Sequence, residues 1–206
     1  MIFKRIPVGL YAANCYIIGC ENTKEGIIVD PGADAKTILA EINALGLDIK
    51  YIVLTHGHGD HIGALEDVHN ELDVPILIHG EDEYMLKNSS ENFTGVMNNK
   101  KVEMTPHKTL KDGDIIEFGN MKAEVIHTPG HTKGGICLSI EDILLTGDTL
   151  FAGSIGRTDF PGGSFEEIIK SIKTKLLKFD DNIRVYPGHG PHSTIGAERV
   201  SNPFIN

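Results

Sequence analysis

The rhythm of apolar and polar positions changes several times along the chain, and each change marks an element. ANCYIIGC at 13–20 and GIIVDP at 26–31 are β-rich apolar runs separated by the polar ENTKE, which predicts two strands joined as a hairpin. In ADAKTILAEINALG the period lengthens. Ile38, Leu39, Ile42 and Leu45 recur at helical spacing, with Asp34 placed to cap the start and Gly46 to close the end. YIVL at 51–54 is short and continuously apolar, as in a buried strand. Beyond it Ile62, Leu65, Val68 and Leu72 return to helical spacing, which puts His61 near the start of a helix. VPILIHG at 74–80 predicts a strand and GEDEYMLKN a short helix, while the polar, irregular residues 88–108 are expected to form a flap over a site.

After residue 110 the period is mostly that of strands. IIEFGNMKAEVIH turns at Gly119 and Asn120, and GICLSIEDILLTGD turns at Glu141 and Asp142, giving two hairpins. SFEEIIKSIKTKLLKF opens with a capping box, Ser164 with Glu167, and is expected to bury Phe165, Ile168, Ile169, Ile172 and Leu176. IRVYPGHG predicts a last strand. Strands and helices in this order imply sheets covered by helices, an α/β (α+β) class, and 206 residues suit a single domain over 1–206.

Composition narrows the function. Hydrophobic residues at 40% and charged residues at 23% are ordinary for a globular chain, and a net charge of −10 argues against broad adhesion to nucleic acid or to an anionic membrane. A small-molecule partner is expected; oligomeric state is not readable. MIFKRIPVGL superficially resembles a secretory leader, but Pro7 and Asn14 interrupt the pattern, and no run approaches the roughly 20 apolar residues needed to span a membrane. Cys15, Cys20 and Cys137 are odd in number with no CxxC spacing, so a reducing compartment, the cytoplasm, is expected.

The chemistry is concentrated in loops. THGHGDHIG, 55–63, places three of the ten histidines and an aspartate within six residues. Glycines between His56, His58 and Asp60 keep the backbone slim, so alternate side chains can turn toward one point, while Asp60 and the adjacent His61 point apart. That suits two neighbouring ions, one taken by His56 and His58, the other by Asp60 and His61. TPGHTKGG delivers His131, LLTGDTL delivers Asp148 and VYPGHGP delivers His189, each at a strand end beside glycine. A histidine alone at a strand end is commonly a hydrogen-bonded structural residue; in company with THGHGDH the metal reading prevails. His69, His79, His107, His127 and His192 lack such company, His127 and His192 being the candidate exceptions. Asp30, in GIIVDPG, is either a turn-former or an acceptor that orients a ligand histidine.

Taken in order, VDPG, THGHGDH, TPGHT, GDTLF and PGH resemble the metallo-β-lactamase superfamily, and the resemblance covers nearly the whole chain. It implies a four-layer αββα sandwich with a dinuclear site on one edge. One ion would be held by His56, His58 and His131, the other by Asp60, His61 and His189, with Asp148 bridging. Asp60 and Asp148 become the candidate catalytic carboxylates, and the cofactor is expected to be two divalent ions, zinc first, with iron or manganese as alternatives. Within the superfamily the chain is similar to the glyoxalase II branch of thioester hydrolases, and GSIGRTDFPGGSFEE and YPGHGP resemble its small single-domain bacterial members. Two departures touch specificity: the sequence runs only 17 residues past His189, where full glyoxalase II continues into a helical domain that grips glutathione, and Pro191 stands where that family has a glutathione-contacting tyrosine.

Two ions bridging one water would lower its pKa from about 15.7 to near neutrality, providing hydroxide for attack on a thioester whose thiolate, pKa about 8.5, leaves without an acid. The alternative is an Fe(II) persulfide dioxygenase, a relative of the same fold with a similar GRTDF stretch, holding one iron by His56, His131 and Asp148. Lys133, Phe151, Ser154 and Arg157 lie close in sequence to the expected rim and are candidate substrate contacts. Arg157 and Asp159 are expected to form an ion pair that orders the loop after Asp148.

Overall fold

The structure, a computed structural model, describes residues 1–97 and 100–205. The first half runs β1 (Ile2–Val8), β2 (Ala13–Gly19), β3 (Glu25–Val29), α1 (Ala35–Leu45), β4 (Asp48–Val53), α2 (Gly59–Ile62), α3 (Leu65–Leu72), β5 (Ile76–His79), α4 (Glu83–Leu86), α5 (Ser89–Asn92), α6 (Thr94–Met97) and β6 (Lys108–Leu110). The second runs β7 (Ile115–Phe118), β8 (Met121–His127), β9 (Ile136–Ile140), β10 (Ile143–Gly147), β11 (Leu150–Phe151), β12 (Ser154–Ile155), α7 (Phe165–Thr174), β13 (Arg184–Pro187), β14 (Ser193–Thr194) and α8 (Ile195–Ser201). Each half forms one six-stranded sheet, in the orders β1-β2-β3-β4-β5-β6 and β14-β13-β10-β9-β8-β7.

Alternation along the strands builds the layers, because successive side chains point to opposite faces. Cys15 and Ile17 of β2 pack outward with Ile38 and Ile42 of α1 and Leu65 and Val68 of α3, while Tyr16 and Ile18 face the second sheet. Ile28 and Ile27, Ile52 and Val53, Ile76 and Leu77 divide in the same way. In the second sheet Leu138 and Leu145 face the first, whereas Cys137, Leu144 and Val185 face Ile168, Ile172 and Leu176. The result is the αββα sandwich, with three apolar layers in which each fully buried Ile or Leu contributes about 1.5–3 kcal/mol.

Some expectations need correction. Asp34 does not cap α1: its backbone is left-handed, φ 56°, which turns the carboxylate away from the helix amides to accept from the Gly9 amide at 2.9 Å. Gly46, φ 64°, does close that helix. The helix expected after the histidine loop is broken, because the Ala64 amide bonds to the Pro31 carbonyl at 3.0 Å. Phe165 is 55% exposed and Ile169 only partly buried, while Ile168, Ile172 and Leu176 are buried as expected. Ser164 caps α7, accepting from the Glu167 amide at 3.3 Å.

The described part of 88–108 holds the short helices α5 and α6 where irregular chain was expected. Asn92 is buried, donating to the Met85 and Val102 carbonyls and accepting from the Thr94 amide and hydroxyl. Positions 98 and 99 of that segment lie outside the described residues. The three cysteines are free and buried, and among the described residues no helix is long and apolar enough to cross a membrane.

Candidate metal centre

The loops that follow β3, β4, β8, β10 and β13 meet at one edge of the sandwich. They bring together Asp30; His56, His58, Asp60 and His61; His131; Asp148; and His189. His58 Nδ1 lies 2.9 Å from His131 Nε2, and the His56 ring stands 4.9 Å and 4.8 Å from those two rings, centroid to centroid. On the other side His189 Nε2 is 3.3 Å from His61 Nε2 and 3.1 Å from Asp60 Oδ2. Asp148 stands between, its oxygens 3.4 Å from His61 Nε2, 3.6 Å from His131 Nε2 and 3.7 Å from His189 Nε2. Ligand-type atoms therefore cluster as His56, His58, His131 and as Asp60, His61, His189.

Partners on the far side of the rings fix their tautomers. His131 Nδ1 donates to the Arg157 carbonyl at 2.8 Å, and His189 Nδ1 to the Tyr11 carbonyl at 3.1 Å. A carbonyl can only accept, so in the neutral ring each Nε2 is the nitrogen with the lone pair, turned toward the centre. Asp30 does the same for two more rings. Its carboxylate accepts from the Thr55 amide at 2.7 Å, the Thr55 hydroxyl at 2.6 Å and His61 Nδ1 at 2.9 Å. Having given its proton to Asp30, the Thr55 hydroxyl accepts from His56 Nδ1 at 3.1 Å. Asp30 is near enough to His56 and His61 to count as a ligand itself, but its oxygens are committed to these donors. It is an orienting acceptor, and with φ 54° it is also the turn-former.

Donor chemistry fits divalent cations. His56 Nε2 and Asp148 Oδ1 are buried with no hydrogen-bond partner, a cost of about 1–3 kcal/mol for a polar atom unless something satisfies it. Burial pushes His56 well below the ordinary histidine range, with the neighbouring histidines adding to the shift, and pushes His58 down to about 3. At His61 burial acts in the same direction, but Asp148, Asp60 and Asp30 together override it and raise the pKa well above normal. His189 is raised, against burial, by Asp60 and Asp148. Asp148 is lowered despite its burial, chiefly by His61. The backbone passes so close that a Cβ at Gly188 would run into Asp148 and His61, and one at Gly156 into the Asp148 carbonyl.

The centre floors a cleft of about 410 Å³. Phe151, Ser154 and Arg157 line it as expected from sequence, together with Tyr11, Met97, Ile155 and Phe160, which sequence proximity did not single out. Lys133 is not on this rim. Thr132 and Gly134 on either side of it bind Asp82, which turns Lys133 into a separate depression beside Glu81, His127 and Gly162. Arg157 forms the expected ion pair with Asp159, with both N–H···O contacts at 2.8 Å, and its guanidinium carbon lies 3.8 Å from the Phe160 ring centre. His127 stacks on His79 and His192 on Tyr186, so neither exception joins the centre.

Comparison with known proteins agrees with this picture. The family model for the metallo-β-lactamase superfamily matches residues 8–189. A Haemophilus influenzae protein named hydroxyacylglutathione hydrolase GloC is 38% identical, covering 100% of this chain and 99% of its own, and the probable metallo-hydrolase YqgX of Bacillus subtilis is 36% identical, covering 100% and 98%. Among solved structures, the BLEG-1 B3 metallo-β-lactamase is similar at TM-score 0.93 and 34% identity, covering 99% of each chain. TTHA1623, solved in a di-iron-bound form, matches at TM-score 0.86 and 31% identity over 98% of this chain and 99% of its own. ETHE1 from Myxococcus xanthus matches at TM-score 0.83 and 26% identity over 98% of this chain and 84% of its own. With its sandwich, its edge-on cluster of His and Asp ligands and these matches, the chain belongs to the metallo-β-lactamase superfamily and stands among its metallo-hydrolases.

Proposed function

We propose that the protein hydrolyses the thioester of a small thiol at a dinuclear centre, with His56, His58 and His131 holding one divalent ion, Asp60, His61 and His189 the other, and Asp148 shared. The observation that carries this is the position of Asp148, with oxygens within 3.4–3.7 Å of ligand nitrogens from both groups. Bound there, two divalent ions supply an acidified water and polarise the carbonyl under attack. Zinc is the proposed metal, with iron and manganese as alternatives; a relative in a di-iron-bound form keeps iron in view.

The protein's own residues supply order and an apolar wall. Asp30, directly and through Thr55, keeps His61 and His56 in the tautomers that present Nε2. Phe151, Ile155, Phe160 and Met97 give the cleft apolar walls beside the reacting centre, against which the apolar part of a substrate can pack. A thiolate leaves without a protonating acid, so the lack of any further acid among the proposed ligands is compatible with a thioester. The name of the Haemophilus influenzae relative supports a hydroxyacyl thioester as the first substrate to try.

A persulfide dioxygenase using His56, His131 and Asp148 is the second reading, favoured by the likeness to ETHE1. Elemental analysis of protein purified without chelator, with a thioester panel and an oxygen electrode on glutathione persulfide, separates them. Two ions per chain, thioester turnover and no oxygen uptake are expected. One iron per chain with oxygen consumption would sink the hydrolase.

A further inference from the structure

Asp82 is fully buried yet belongs to no motif of the sequence and offers no atom to either ligand group. It sits just after β5, at the start of α4, but its side chain makes no hydrogen bond to that helix. Helix capping therefore does not account for a buried carboxylate. Its three hydrogen bonds all go to loops of the metal centre. Oδ2 accepts from the Gly57 amide at 3.3 Å and the Thr132 hydroxyl at 2.7 Å, and Oδ1 from the Gly134 amide at 2.6 Å.

Gly57 lies between His56 and His58, and Thr132 follows His131. The first loop leaves β4 of one sheet and the second leaves β8 of the other. One carboxylate thus grips both backbones that carry the three-histidine group, across the join between the two halves of the sandwich. The fit is close: a Cβ at Gly134 would collide with the Asp82 backbone and side chain. Burying a carboxylate is unfavourable, and at Asp82 burial raises the carboxyl pKa against the pull of its three donors.

We propose that Asp82 is a positioning residue for the His56, His58, His131 group, setting how tightly that group holds its ion while leaving the Asp60, His61, His189 group untouched. The inference rests on the ligand partition proposed above. Outer partners of metal ligands act in this way by fixing where the ligand points.

The test uses Asp82→Asn, which puts an NH₂ donor against one of the three donors, and Thr132→Val, a milder change that removes the hydroxyl alone and serves if Asp82→Asn folds poorly. Histidine ring ¹⁵N spectra of metal-free wild type and variants come first. The His56, His58 and His131 signals should move while those of His61 and His189 hold. Zinc competition against a chromogenic chelator follows, in which one of two binding steps should weaken on the order of 10- to 100-fold and the other stay unchanged. All five rings moving together, both steps weakening alike, or no change in either readout would overturn the proposal. Fewer than two zinc ions on wild type would instead overturn the dinuclear reading, and the ring spectra would still decide on Asp82.

Discussion

His56, His58 and His131 are enclosed, none more than 4% exposed, whereas the other group joins the buried His61 to Asp60 and to His189, whose side chain is 27% exposed at the cleft. Of the enclosed rings, His56 and His58 are driven toward the neutral form by burial, with neighbouring histidines adding to the shift, and His58 lies down at about 3. In the open group Asp148 and Asp60 hold His61 and His189 toward the charged form. The same side chain is thus prepared as a ligand in two ways. Dehydration makes His56 and His58 ready for a cation with no proton to displace, and carboxylates make the second group attractive to any positive charge, proton or metal. Support differs as well: Asp82 holds the first group by its backbone, while Asp30 reaches both through His61 and Thr55.

Removing what the groups share should erase the contrast. Asp148→Ala is expected to weaken zinc binding in both steps and to cut turnover on the order of 10²–10³-fold or more, read by metal titration and steady-state kinetics. Asp30→Asn should come next. With the Thr55 and His61 donors facing an amide, affinity in both steps falls on the order of 10- to 100-fold, and denaturant unfolding registers about 1–3 kcal/mol of lost stability. Loss confined to one step would mean that Asp30 supports one group only. Chelation of wild type should lower the thermal midpoint, since an ion present at a hundred times its Kd adds about 2.7 kcal/mol to the folded state. An unchanged midpoint would mean that the described pocket holds metal weakly or not at all.

Arg157→Ala should have the smallest effect. Its ion pair with Asp159 is exposed and contributes little, and His131 is supported by the Arg157 carbonyl, which alanine keeps. Unfolding should shift slightly and KM should hold; a large rise in KM would make the guanidinium a substrate contact instead.

The layers were legible because a strand residue's face follows from its neighbours two positions away, so Ile17 and Ile18 divide between cores without knowledge of the rest. The ligand loop was legible because its donors are local in sequence. What failed depends on distance. Asp82 meets Thr132 across 50 positions and Thr55 meets Asp30 across 25, and neither pairing leaves a local trace. Asp34 has a good capping side chain but a backbone angle that capping cannot use. Phe165 satisfies helical periodicity at the margin of the apolar stripe, where period alone does not say whether anything covers it.

His61 and His189 face each other at 3.3 Å although 128 positions separate them in the chain. During translation the first sheet and its histidine loop leave the ribosome well before β13 and His189 exist. A nascent chain therefore displays His61 with nothing opposite it, and the cluster closes only when synthesis has passed His189 and the later sheet has docked on the earlier one.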